Sequence, residues 1–112
     1  MSTRETPPEL EQWIEERAAL LLSTARRIVA SADSREGQPV GEWLMPLLEE
    51  FSHVEQIGKR AVHLLAAYAL RHGVTTQTEV ARAMGLTVTA AANRAASRVA
   101  RETWAEVWPE QR

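Results

Sequence analysis

Apolar residues recur along this 112-residue chain at three- and four-residue intervals and nowhere in strict alternation, so helices are expected throughout and strands nowhere. Leu10, Trp13, Ile14, Leu21, Ala25, Ile28 and Ala32 keep that phase over residues 9–31. Pro8 and the acids Glu9, Glu11, Glu15 and Glu16 suit the positive end of a helix dipole, so one long helix is read there. Leu20, Leu22 and Val29 widen its stripe beyond what a single neighbour covers. Residues 33–39, with Gly37 and Pro39, read as a loop. A short second helix over 42–51 carries Trp43, Leu44, Leu47, Leu48 and Phe51, with Pro46 drawing its start toward Met45. A third over 54–72 carries Val54, Ile57, Ala61, Leu64, Leu65 and Tyr68, and Gly73 closes it.

The run from Thr76 to Arg101 holds two more helices around a tight corner. Thr76 and Glu79 have the spacing of a capping box, in which each side chain satisfies a backbone N–H of the first turn. Val80, Ala81 and Met84 then share one face, Gly85 turns the chain, and Leu86 plugs the corner. A last helix is expected from Val88 to Val107. On its wheel Ala91, Ala92, Ala95, Ala96, Val99 and Thr103 form one apolar arc, and Thr89, Asn93, Arg94, Ser97, Arg98 and Arg101 the opposite one. Beyond Arg101 the phase changes: Trp104, Val107 and Trp108 fall on the polar side, either because the helix breaks or because they make a separate contact.

Gln77 to Ala96 resembles the helix-turn-helix of many bacterial and phage transcription regulators. That family favours Ala at the fifth motif position, Gly at the ninth and a branched apolar residue at the fifteenth; this chain has Ala81, Gly85 and Ala91. It departs at the eighteenth, usually apolar, where Arg94 stands. The resemblance covers about a fifth of the chain. With the helical phase read above, the expected fold is all-α with about five helices, a tri-helical helix-turn-helix unit preceded by a long helix and a short one; since no stretch alternates as a strand, no wing is expected. Residues 1–8 are expected as a disordered lead, 9–53 as the dimerising part and 54–112 as the DNA-binding part. The resemblance implies sequence-specific binding of double-stranded DNA, with a recognition helix over about 88–101 in the major groove. The N-terminal residues of such a helix reach base edges, which assigns that role to Thr87, Thr89, Ala90, Asn93 and Arg94. Thr75, Thr76, Arg82, Arg98 and Arg101 are placed for phosphates. Regulators of this kind commonly act as two-fold dimers, and Leu10, Trp13, Ile14, Leu21 and Ile28, with Trp104 and Trp108, are the expected homodimer contact.

Charge strengthens this picture. The net charge is only −2, but residues 1–56 hold five arginines against eleven acids, net −6, whereas residues 57–112 hold eight cations against four acids, net +4. Between Ile57 and Arg101 the only acid is Glu79, so the basic half is the half with the tight corner, as phosphate binding requires. At 45% hydrophobic and 25% charged residues the chain has the balance of a folded domain, not a disordered one. No apolar run reaches the ~18 residues a membrane span needs, and the N-terminus lacks a secretory pattern, so a cytoplasmic protein is expected.

Without cysteine there is no thiolate metal site. His53, His63 and His72 lack the repeated carboxylate pairs of a helical metal centre, and no nucleotide-binding or nucleophile motif occurs. Neither an enzyme nor a metal or other cofactor is expected. The competing expectation is a helical protein–protein module, antitoxin-like or sigma-factor-binding, supported by the wide apolar stripe of residues 10–32, the off-phase Trp104 and Trp108 and the slight net acidity.

Overall fold

The computed structural model describes residues 6–110, and every regular element in them is a helix. The order is α1 (Pro8–Asp33), α2 (Val40–Arg71), α3 (Gln77–Met84), α4 (Val88–Ala95) and α5 (Arg98–Val107). Pro7, extended at φ −60° and ψ 137°, precedes α1, and Pro8 opens it. Most of the expected lead, residues 1–5, lies outside the described residues. No helix among those described is long and apolar enough to cross a membrane.

Five helices are present, but two boundaries differ from the sequence reading. The expected helices over 42–51 and 54–72 are one continuous helix, α2, of 32 residues. At ~1.5 Å per residue it is about 48 Å long, most of the 55 Å length of the molecule. Nothing between Phe51 and Val54 breaks a helix. Pro46, near its start, removes a single intrahelical donor without ending it. The change of apolar phase at residues 52–54 marks two faces of one helix, and the expected division at 53/54 falls inside α2. Conversely, the expected helix over 88–107 is two helices. Ser97 is extended (φ −71°, ψ 165°), and its Oγ accepts the Ala100 N–H, which ends α4 and starts α5 afresh.

That restart brings Ala100, Thr103, Trp104 and Val107 onto one buried face of α5. The tryptophans look out of phase only on a wheel that runs through the break. α1 and α2 form an antiparallel hairpin, and α5 closes its lower end. Leu10 and Trp13 from α1, Leu64 from α2, and Trp104, Val107 and Trp108 from the C-terminal part make one core cluster, flanked by Ala61, Ala67 and Tyr68. Two indole donors lock the chain ends together: Trp13 Nε1 donates to Glu106 Oε2 at 3.3 Å, and Trp108 Nε1 to Glu9 Oε2 at 3.1 Å. Leu10, Trp13, Trp104 and Trp108, expected at a dimer contact, are therefore buried within a single chain. Of the other residues expected there, Leu21 and Ile28 are half-buried, and only Ile14 is exposed.

The upper hairpin has two unlike sides. At about 100° per residue, Ile14 lies about 70° and Val29 and Leu22 about 130–150° round α1, all in one direction, from the face of the buried Leu10, Trp13 and Thr24. On α2, Val40, Leu44, Leu48 and Phe51 form a stripe offset by a similar angle from the surface that meets α1, and Val62 and Leu65 extend it. Viewed from one end, residue angle advances clockwise in α1 and anticlockwise in the returning α2, so both stripes lie on the same side of the hairpin. All these side chains are exposed, Leu22, Val29, Val40, Leu48 and Phe51 by more than half. The opposite side is polar, carrying Gln12 bonded to Glu16 and Arg27 paired with Glu50 at 3.0 Å.

Candidate nucleic-acid interface

Each helix around the corner at Gly85 is fixed by its own sequence. Thr76 Oγ1 accepts the Glu79 N–H at 3.1 Å and caps α3. The Glu79 carboxylate lies 3.9 Å from Arg82 on the next turn. Gly85 adopts φ 68° and ψ 32°, a left-handed conformation that is strained for residues with a Cβ. Its N–H donates to Arg82 C=O and that of Leu86 to Ala81 C=O, the paired bonds of a Schellman ending. Two residues later Thr87 Oγ1 accepts the Ala90 N–H at 3.1 Å and caps α4. Val80, Ala81 and Ala91 are buried where α3 and α4 pack on each other and on α2.

Thr89 and Asn93 lie a turn apart on the outer face of α4, exposed and free of side-chain caps, and Ala90 beside them is half-buried. Thr87 and Thr76 are exposed too, but each hydroxyl already accepts a backbone N–H as a cap. Thr75 is exposed ahead of α3. Arg94 is about 140° round α4 from Thr89 and about 100° from Asn93. The structure thus separates it from the two outer residues. It lies with Lys59, Val62, His63, Met84 and Leu86 around a shallow cleft of about 220 Å³ between α2 and the corner. Arg98 and Arg101 belong to α5, not to the helix of Thr89 and Asn93.

The cations differ in how far they are already engaged. Arg98 Nε is 2.7 Å from Glu102 Oε1, and Arg82 is 3.9 Å from Glu79. Arg101 Nη1 donates to Ala96 C=O at 2.9 Å, which pins the C-terminal end of α4. Lys59, Arg71 and Arg94 take part in no ion pair among the described residues. Lys59 and Arg71 escaped the sequence reading because they sit on α2, far in sequence from the motif. The signal that could have found Lys59 is its place one turn before His63 in the acid-free run from residue 57 to 78.

His63 is buried on α2, and its Nδ1 lies 2.9 Å from Ser97 Oγ at the break between α4 and α5. Burial, aided by the positive charges of Lys59 and Arg94, holds its pKa below the ordinary histidine value. Among the described residues no three His, Asp or Glu side chains are grouped to hold a metal ion. The surface offers backbone corners, hydroxyl and amide hydrogen-bonding groups and positive charge. No family model, curated protein or solved structure matches the chain.

Proposed function

We propose that this protein is a small regulator of transcription that binds duplex DNA through α3 and α4, with α4 in the major groove, as a two-fold homodimer. The observation that carries this reading is the presentation of α4. It is a short helix capped at its start, held by a left-handed glycine corner to α3, with Thr89 and Asn93 turned to solvent and cations on both flanks. Asn93 suits adenine, and the Thr89 methyl and hydroxyl suit thymine or a phosphate. Arg94 and Lys59 on one flank, and Arg71 and Arg101 on the other, are placed for the backbone phosphates on either side of the groove. At eight residues α4 is long enough to give about two turns to a groove and no more.

The apolar side of the α1–α2 hairpin supports pairing with a second copy. It leaves Leu22, Val29, Val40, Leu48 and Phe51 each more than half exposed, and exposed apolar side chains gathered on one side mark an interaction surface. Mobility-shift titration against a pool of random duplexes tests the DNA reading. Binding should weaken steeply between about 50 and 200 mM salt, and the selected sequences should be palindromic. No retarded band at about 50 mM salt would refute it.

A further inference from the structure

Beside the corner, where the C-terminal end of α2 meets α4 and α5, lies a cleft of about 660 Å³. That is within the ~300–1,000 Å³ of small-molecule sites. Six of its ten lining residues are alanine: Ala67 from α2, Ala92, Ala95 and Ala96 from α4 and its C-terminal cap, and Ala100 and Ala105 from α5. The arc expected to close on the domain is only partly covered, because the break at Ser97 swings α5 away and leaves Ala92 and Ala96 exposed.

The polar groups at this cleft are donors. Arg71 and Arg101 line it, and among the described residues no acidic one does. The Arg71 guanidinium lies 4.6 Å from the centre of the Trp104 ring. Arg101 spends one N–H on Ala96 C=O and keeps the rest of its fork. Trp104 forms a wall of the cleft and is only 6% exposed, yet among the described residues its Nε1 has no hydrogen-bond partner, an omission with a real cost for a buried donor. A floor of methyl groups with two guanidinium groups takes a ligand with an apolar body and one planar anionic end, which arginine's fork matches bidentately. So much alanine favours a singly charged carboxylate over a more strongly hydrated phosphate.

We propose that this cleft is an effector site for a small apolar carboxylate, and that its occupancy changes DNA affinity by fixing α4 against α2 and α5. The binding half stands on the cleft alone, and the regulatory half rests on reading α4 as the DNA-contacting helix. Ala92, Ala95 and Ala96 belong to α4 or its cap, so a bound ligand touches that helix directly, and any effect on DNA binding must be matched by DNA's effect on the ligand.

Calorimetric titration of the full chain with 1-naphthoate, without DNA, tests the site. Saturable binding with a Kd of about 1 mM or tighter is expected. It should weaken at least tenfold for the neutral 1-naphthamide, for Arg71→Gln and for Ala96→Phe, the last filling the cleft. In a ¹⁵N spectrum the Trp104 indole signal, assigned with Trp104→Phe, should shift on titration while the Trp43 indole stays. No saturable uptake by about 10 mM, equal binding of the amide, or indifference to both substitutions in variants that melt like wild type would overturn the site. Mobility shifts with and without naphthoate then address regulation. Naphthoate binding without change in DNA affinity overturns the regulatory half. A chain that takes naphthoate but no DNA overturns the reading of α4 and leaves the site standing.

Discussion

His63 Nδ1 lies 2.9 Å from Ser97 Oγ, joining the middle of α2 to the break between α4 and α5. The same hydroxyl accepts the Ala100 N–H at 3.2 Å and is 2.7 Å from Arg94 C=O, to which it donates. With its one proton committed to Arg94, it can only accept from His63, so His63 carries its proton on Nδ1. One side chain thus finishes α4, caps α5 and ties both to the long helix.

Ser97→Ala should therefore cost more than an ordinary cap. Loss of the cap is worth about 1 kcal/mol, and a buried imidazole N–H left without its acceptor adds about 1–3 kcal/mol. Urea unfolding should show a total loss of about 2–4 kcal/mol, and Ser97→Thr, which keeps the hydroxyl, should escape most of it. A loss under about 0.5 kcal/mol for Ser97→Ala would mean the break is held by the core around Trp104 alone.

His63 also makes a pH dependence. Its folded-state pKa lies below the ordinary 6.5, chiefly through burial and secondarily through Lys59 and Arg94. A depressed folded pKa means the unfolded chain takes up the proton first. This contribution is fully present above 6.5 and is lost as pH falls from there through the folded value. Urea midpoints of wild type and His63→Gln, compared at about pH 7.5 and about pH 5, should show wild type losing more on acidification. Parallel losses in the two chains would remove His63 as the cause.

The helical class, the corner at Gly85, the cap at Thr76 and the outward turn of Thr89 and Asn93 are legible in sequence because each is set by residues within a few positions. The two misplaced boundaries have different causes. Helical phase reports which side of a helix is apolar, and α2 has two apolar sides, one toward α1 and one open, so a change of side at Phe51–Val54 resembled a change of helix. At Ser97 the error runs the other way. Serine is tolerated inside helices, and what sets Ser97 apart is its bond with His63, 34 residues earlier. The tryptophans apparently out of phase were the visible trace of that break. Their burial against Leu10 and Trp13 is a tertiary fact that no local pattern contains.

If α3 and α4 bind DNA, the cations should separate by how free they are. Removing one phosphate-binding cation lowers the slope of log affinity against log salt by about 0.9. Lys59→Gln and Arg94→Gln, neither ion-paired, should each approach that value. Arg98→Gln should fall short of it, since Arg98 is already held 2.7 Å from Glu102. Asn93→Ala should leave the slope nearly unchanged but cost about 1–3 kcal/mol at the selected sequence and relax preference there. Equal slopes for all four variants would deny the phosphate roles.

The apolar hairpin side yields the last expectation. Leu48 and Phe51, 58% and 56% exposed, stand near the middle of the α2 stripe, with Leu22 on the same side of α1. Two copies paired through that side would remove these residues from water, and a carboxylate placed there would be buried without a partner. Sedimentation should give twice the 12.5 kDa chain mass for wild type and the single mass for the Leu48→Glu, Phe51→Glu double variant. Because pairing stabilises the folded form by mass action, the wild-type melting temperature should rise with protein concentration and that of the variant should not. Gln12→Glu, on the polar side, serves as the control and should stay paired. DNA affinity should drop in the double variant while Asn93 still sets sequence preference, since a monomer keeps α4 but loses the second half-site. A wild-type chain of single mass at about 100 μM, or a double variant that remains paired, would assign the two-fold contact to another surface.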